Sequence, residues 1–218
     1  MAIPIFDLPS LGYNQTDFDL IVPRSVNRME GRRTEARTFG TPYYVASYQI
    51  VPLAPERVGK ADAWIRKVMS RNGVFRAYDV SRPRPVEAGL TPLTWTPDLI
   101  SITNGGQTVA IAGVANNFQF REGDYVCFKM SDLVVSLHTT AEDVRSNGSG
   151  AVTLTIDPPL DTQHFTASAV PIFEKPYCLM QPFEWKATKP VFGTAPSFSA
   201  QEVFFYDPPA DEDEEEEE

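Results

Sequence analysis

Residues 72–85 read NGVFRAYDVSRPRP, and three kinds of structure meet in them. Asn72-Gly73 is a helix stop, because glycine takes the left-handed conformation without penalty. Val74 to Val80 is rich in strand formers and reads as a strand. Ser81 to Pro85 is a break, since paired prolines cannot continue a ladder. Upstream of the stop, Val58, Ala61, Ile65 and Val68 recur at helical spacing from about Pro55, an apolar stripe widened by Trp64 and Met69. Arg66, Lys67 and Arg71 lie towards the end where the helix dipole favours cations. Before the helix, TPYYVASYQIVPL (Thr41 to Leu53) alternates, with Tyr44, Ala46, Tyr48 and Ile50 on one face. The order is strand, helix, strand.

Beyond the break the texture changes. Leu99 to Ile102 and Thr108 to Ala112 flank Asn-Gly-Gly, a hairpin signal. Phe118 to Phe120, Tyr125 to Met130, Leu133 to His138 and Val152 to Ile156 are further short strands, separated by turns at REGD, MSD and SNGSG. Such spacing with no helical period reads as a small β-barrel or sandwich. From Ala169, strand texture returns in AVPIFEKPYCLM, FEWKATKP and FSAQEVFFYD, whose economical partners are the strands before the break. The chain therefore reads as mainly β with one amphipathic helix. A discontinuous first domain, residues 41–85 plus 170–207, carries an inserted β-barrel or sandwich at 86–169. Residues 1–40 read as an irregular N-terminal arm with a basic cluster, Arg28, Arg32, Arg33 and Arg37, among Glu30 and Glu35. Residues 208–218 read as a disordered acidic tail.

The chain has 218 residues, 19 of them proline, and a formal net charge of −10. Residues 211–218 carry eight acidic groups, which leaves 21 acidic against 19 basic residues and a nearly neutral body. No basic face for nucleic acid is expected. No apolar run approaches the ~20 residues of a membrane span, and MAIPIFDLPS lacks the regions of a signal peptide. A soluble protein of a reducing compartment is expected, with Cys127 and Cys178 as buried free thiols.

The stretch that invites chemistry is REGDYVCF, Arg121 to Phe128, with two carboxylates and a thiol near His138. A zinc site needs three or four converging ligands, and His138, Cys127 and Asp124 are the candidates. Strand parity sets Cys127 with Tyr125, whereas His138 falls with Val134 and Ser136, so the three do not converge. His138 reads as a satisfied surface residue, and His164 is the chain's other histidine. No GxSxG elbow and no GxxxxGK[ST] loop is present. Glu122/Asp124 and Glu142/Asp143 read as solvated turn carboxylates. Gly123 holds the third position of a type II turn, which needs positive φ. No catalytic, cofactor-binding or metal-binding residue is assigned, and the chain is expected not to be an enzyme. A binding reading would use Trp95, Phe118 and Phe120 as exposed aromatics for carbohydrate.

GVFRAYDVSRPRP (Gly73 to Pro85), FREGDYVCFK, LVVSLHTTAEDV, GAVTLTIDPPL and AVPIFEKPYCLM, in this order, resemble minor tail proteins of tailed bacteriophages, in particular the distal tail protein family. The resemblance spans about residues 41–207, by pattern and order. It implies a β-rich collar domain with an inserted barrel and a homo-oligomeric ring, a hexamer. It also implies partners: the tail tube protein above, and hub, baseplate and tail fibre proteins below. Assembly in the host cytoplasm into the virion tail tip would follow. A receptor- or carbohydrate-binding virion module and a head-completion or tail-terminator protein are the alternatives.

Overall fold

A computed structural model describes residues 3–28, 34–38, 40–51, 55–186 and 196–206. The acidic tail at 208–218, and Glu30, Arg32 and Arg33 of the basic cluster, lie outside them.

The alternation around the helix builds the first sheet. Its strands are β1 (Ile5–Asp7), β2 (Tyr13–Ile21), β5 (Tyr43–Ile50), β6 (Val74–Ala77), β15 (Cys178–Lys186) and β16 (Ser197–Glu202), in the order β1-β6-β15-β16-β5-β2. Tyr44, Ala46, Tyr48 and Ile50 are buried, as their parity predicts. Helix α1 (Pro55–Ser70) covers this face with Ala61, Ile65 and Val68, all buried. Trp64 packs against Phe75 and Phe198 at ring distances of 5.3 and 5.5 Å. Met69 does not widen the stripe; it is 45% exposed.

The helix ends as the sequence predicts, but with a different residue in the strained position. Asn72 takes φ +46°. Gly73 N donates to Val68 O at 2.9 Å and Asn72 N to Met69 O at 3.2 Å, the paired bonds of a Schellman motif with Asn72 at C′. Gly73 is needed for close approach: a Cβ there would stand 2.6 Å from the Phe6 ring and 3.0 Å from Pro4 O. Phe6 belongs to β1, which pairs in parallel with β6.

Residues 1–40 are therefore not an irregular arm throughout. β1 and the nine-residue β2 are the two edges of the first sheet, and β2 pairs antiparallel with β5. Between β2 and β5, β3 (Arg24–Arg28) and β4 (Thr34–Thr38) pair with each other and, among the described residues, with neither large sheet.

The second sheet has the order β14-β10-β11-β13-β8-β7: β7 (Asp98–Thr103), β8 (Thr108–Ala112), β10 (Tyr125–Lys129), β11 (Val135–Thr140), β13 (Val152–Asp157) and β14 (Val170–Ile172). β9 (Gln119–Phe120) and β12 (Val144–Arg145) form a separate pair. The sheet curls until β7 and β14 approach within 8 Å between Cα atoms, but no hydrogen-bonded ladder closes it into a barrel. Val170–Ile172, expected among the strands of the first domain, pairs with β10 instead.

β10 explains its own unbroken apolar run. Tyr125 and Cys127 enter the first core, while Val126 and Phe128 enter the second. Burying a side chain such as Phe128 contributes about 2–3 kcal/mol, so one strand fastens both cores. The two chain crossings between the sheets are tied to each other as well. Arg84 grips Glu174 through two nitrogens at 3.0 and 2.6 Å, and Glu174 also accepts from Leu93 N at 3.1 Å.

Candidate functional site

The REGD turn is built as its glycine requires: Gly123 has φ +84° and Asp124 N donates to Arg121 O at 3.0 Å. Of its two carboxylates only Asp124 departs from the solvated state expected. Asp124 is only 5% exposed, and accepts from Arg121 N at 2.8 Å and Val86 N at 3.0 Å. It staples the turn to the linker after the break. Burial raises its pKa, against those two bonds. Glu122 is exposed, and its N–H donates to Asp143. Asp143 also pairs with Arg121 at 2.9 Å.

Cys127 is fully buried, and burial pushes its thiol up to about 12. A thiol so far from ionising is a poor nucleophile at neutral pH. In the β10–β11 ladder Cys127 stands opposite Leu137, and His138 opposite Val126, so the two side chains belong to different faces. Among the described residues no three His, Cys, Asp or Glu groups are placed to hold a metal.

His138 is not the surface residue that its position suggests. It is 1% exposed, with Nδ1 2.6 Å from Pro158 O. A carbonyl only accepts, so Nδ1 carries the proton and Nε2 the lone pair. Burial depresses its pKa to about 4, which keeps the ring neutral. Nε2 is buried with no hydrogen-bond partner among the described residues. His164, the other histidine, has Nδ1 2.5 Å from Asp161 and its ring 5.0 Å from Tyr206.

His138 forms part of the wall of a cavity of about 390 Å³ between the two sheets. Tyr44 and Glu202 line it from the first sheet, and Ser136 and Leu137 from the second. Residues 158–163 and the chain after β16, with Phe204 and Tyr206, complete it. Glu202 is 7% exposed. The β16–β5 ladder ends at Gln201↔Val45, and the Glu202 carboxyl accepts the next N–H, that of Tyr44, at 2.8 Å. Burial pushes its pKa up to about 8, so it holds a proton at neutral pH. Sequence reading missed this group, although parity marks it: Phe198, Ala200 and Glu202 share one face of β16, and all three are buried.

Trp95, Phe118 and Phe120 are brought together, but against one another. Trp95 stands 4.6 Å from Phe118, Phe118 stands 5.0 Å from Phe120, and Phe120 is buried in the second core. Their rings pack edge to face instead of forming a flat exposed platform.

No protein-family model matches the chain, and no curated protein matches it.

Proposed function

We propose that the chain is a non-enzymatic, ring-forming adaptor of a phage tail tip, joining a tail tube to hub and fibre proteins. The order of segments from Gly73 to Met180 is what points to this class. The observation that carries an assembling role is the free edge. β2 presents nine residues whose outer side pairs with no described strand, and its chain runs directly into the separate β3–β4 hairpin. Ile21, Val22 and Val26 along this run are exposed, Val26 by 50%. A long edge strand beside exposed apolar side chains is costly in a monomer and suits strand addition by a neighbouring copy. The cores on either side of β10 would give each copy the rigidity a ring requires.

Native mass spectrometry and electron microscopy of the purified chain, alone and mixed with a tail tube protein, test this. Closed rings, hexameric by the resemblance, are expected. A monomer at all concentrations with no affinity for tube protein would overturn the proposal.

A further inference from the structure

We propose that the cavity between the two sheets binds an aliphatic ammonium group, with Glu202 as its counter-charge and Tyr44, Phe204 and Tyr206 as its aromatic walls. The chemistry of the lining carries this. Among the described residues around the cavity there are two carboxyls, Glu202 and Asp161, and neither lysine nor arginine. His138, also in the wall, is a neutral ring with its Nδ1–H spent on Pro158 O, so it brings no positive charge. A site rich in acceptors and π faces and empty of cations is complementary to an N–H-bearing cation. An anionic guest would meet carboxyls with no positive group to offset its charge. The volume, about 390 Å³, lies within the range of small-molecule sites.

The charged and titratable neighbours agree. Tyr44, Tyr206, Cys127 and Cys178 interact electrostatically with Glu202, and burial holds each of them in its neutral, protonated form. Asp161 is engaged by His164 Nδ1 and by Gln163 N at 2.8 Å. His164, beside the lining, is committed to Asp161. Beyond Tyr206, which is itself a wall, the sequence runs within five residues into the eight acidic groups at 211–218.

Entry of the cation ionises Glu202. Its O–H bond breaks, the proton leaves to solvent, and the carboxylate accepts N–H bonds from the ammonium. Binding is therefore linked to pH. Below about pH 8 the affinity rises close to tenfold per pH unit, and it levels off above that.

The experiment is isothermal titration of the full chain with n-butylammonium chloride at pH 6, 7 and 8. Repeating the pH 7 titration in two buffers of different ionisation enthalpy counts protons. Expected are release of close to one proton at pH 7, an affinity rising about tenfold per unit from pH 6 to 7, and no binding of n-butanol. Glu202→Gln, checked for folding by circular dichroism, should weaken binding at least tenfold and abolish the pH dependence. Absence of binding at millimolar amine, equal binding of n-butanol, or a pH-independent affinity in the wild type would each overturn the proposal, whether or not the variant folds. A free amine and a lysine of a second copy share this chemistry. Sedimentation separates them, because only a lysine-mediated complex dissociates when n-butylammonium is added. None of these readouts depends on ring formation, so failure here and failure of the adaptor reading are distinguishable.

Discussion

Glu202 and His138 face one cavity, and burial perturbs them in opposite directions. For Glu202 the folded value, about 8, exceeds the ordinary 4.5. Between those values the unfolded chain releases a proton that the fold retains, so stability falls as pH rises. For His138 the folded value, about 4, lies below the ordinary 6.5, so stability falls as pH drops through that interval. The two slopes oppose each other from pH 4.5 to 6.5, and Glu202 acts alone above. From pH 6.5 to 8.5 the urea midpoint should decline by an amount worth about 2 kcal/mol, at 1.36 kcal/mol per unit. Glu202→Gln should flatten that decline, and a wild-type profile flat over this range would contradict the assignment. Glycines make a second contrast at this scale. At Gly123 a Cβ would meet nothing nearer than Arg82 Nη1 at 3.6 Å, so Gly123→Val is penalised by the positive φ alone, about 1–3 kcal/mol. At Gly106, φ is +89° and a Cβ would lie 1.9 Å from Leu160 O, a backbone atom of the segment that lines the cavity. Gly106→Ala should therefore lower the melting temperature more than Gly123→Val does, despite the smaller side chain.

Elements were legible where one side of their pattern is buried. β5 and α1 follow their stripes, and β10 follows its unbroken apolar run because both faces are covered. β1 and β2 were not legible, since an edge strand such as YNQTDFDLI keeps most of its side chains in solvent and shows little alternation in apolar content. β14 was placed in the wrong sheet because three residues hold too little pattern to choose a partner. The site was less legible than the fold. Asp124 and His138 look like surface residues until tertiary packing closes over them, whereas Glu202 was readable from strand parity. The C-terminal cap of α1 gives a test of local structure. Asn72 holds a positive φ, which asparagine tolerates and alanine resists. Asn72→Ala should cost about 1 kcal/mol, and Asn72→Gly should be neutral or stabilising. For a chain of this length the alanine loss corresponds to about 2–4 °C in a thermal melt. Gly73 will not accept the reverse exchange, because Phe6 and Pro4 occupy the space of its Cβ.

At the scale of the molecule, charge separates what holds a copy together from what the proposed ring would need between copies. Outside residues 211–218 the chain carries 21 acidic and 19 basic residues, so the folded body contributes little net repulsion. The last eight residues carry a charge of −8 each time the chain is repeated. In the proposed ring of six, these segments add like charge to like charge, opposing closure over a range set by the Debye length, about 10 Å at 0.1 M salt. The contacts offered for assembly, the outer edge of β2 and the exposed Ile21, Val22 and Val26, are backbone and apolar groups that need no acidic partner. Removing residues 208–218 should therefore leave rings intact and lower the salt concentration needed for their closure. Native mass spectra of the full-length and truncated chains across an ionic-strength series would read both effects. Rings that vanish on truncation at every salt concentration would mean that the acidic segment is itself an assembly contact, and would shift the interface away from the β2 edge.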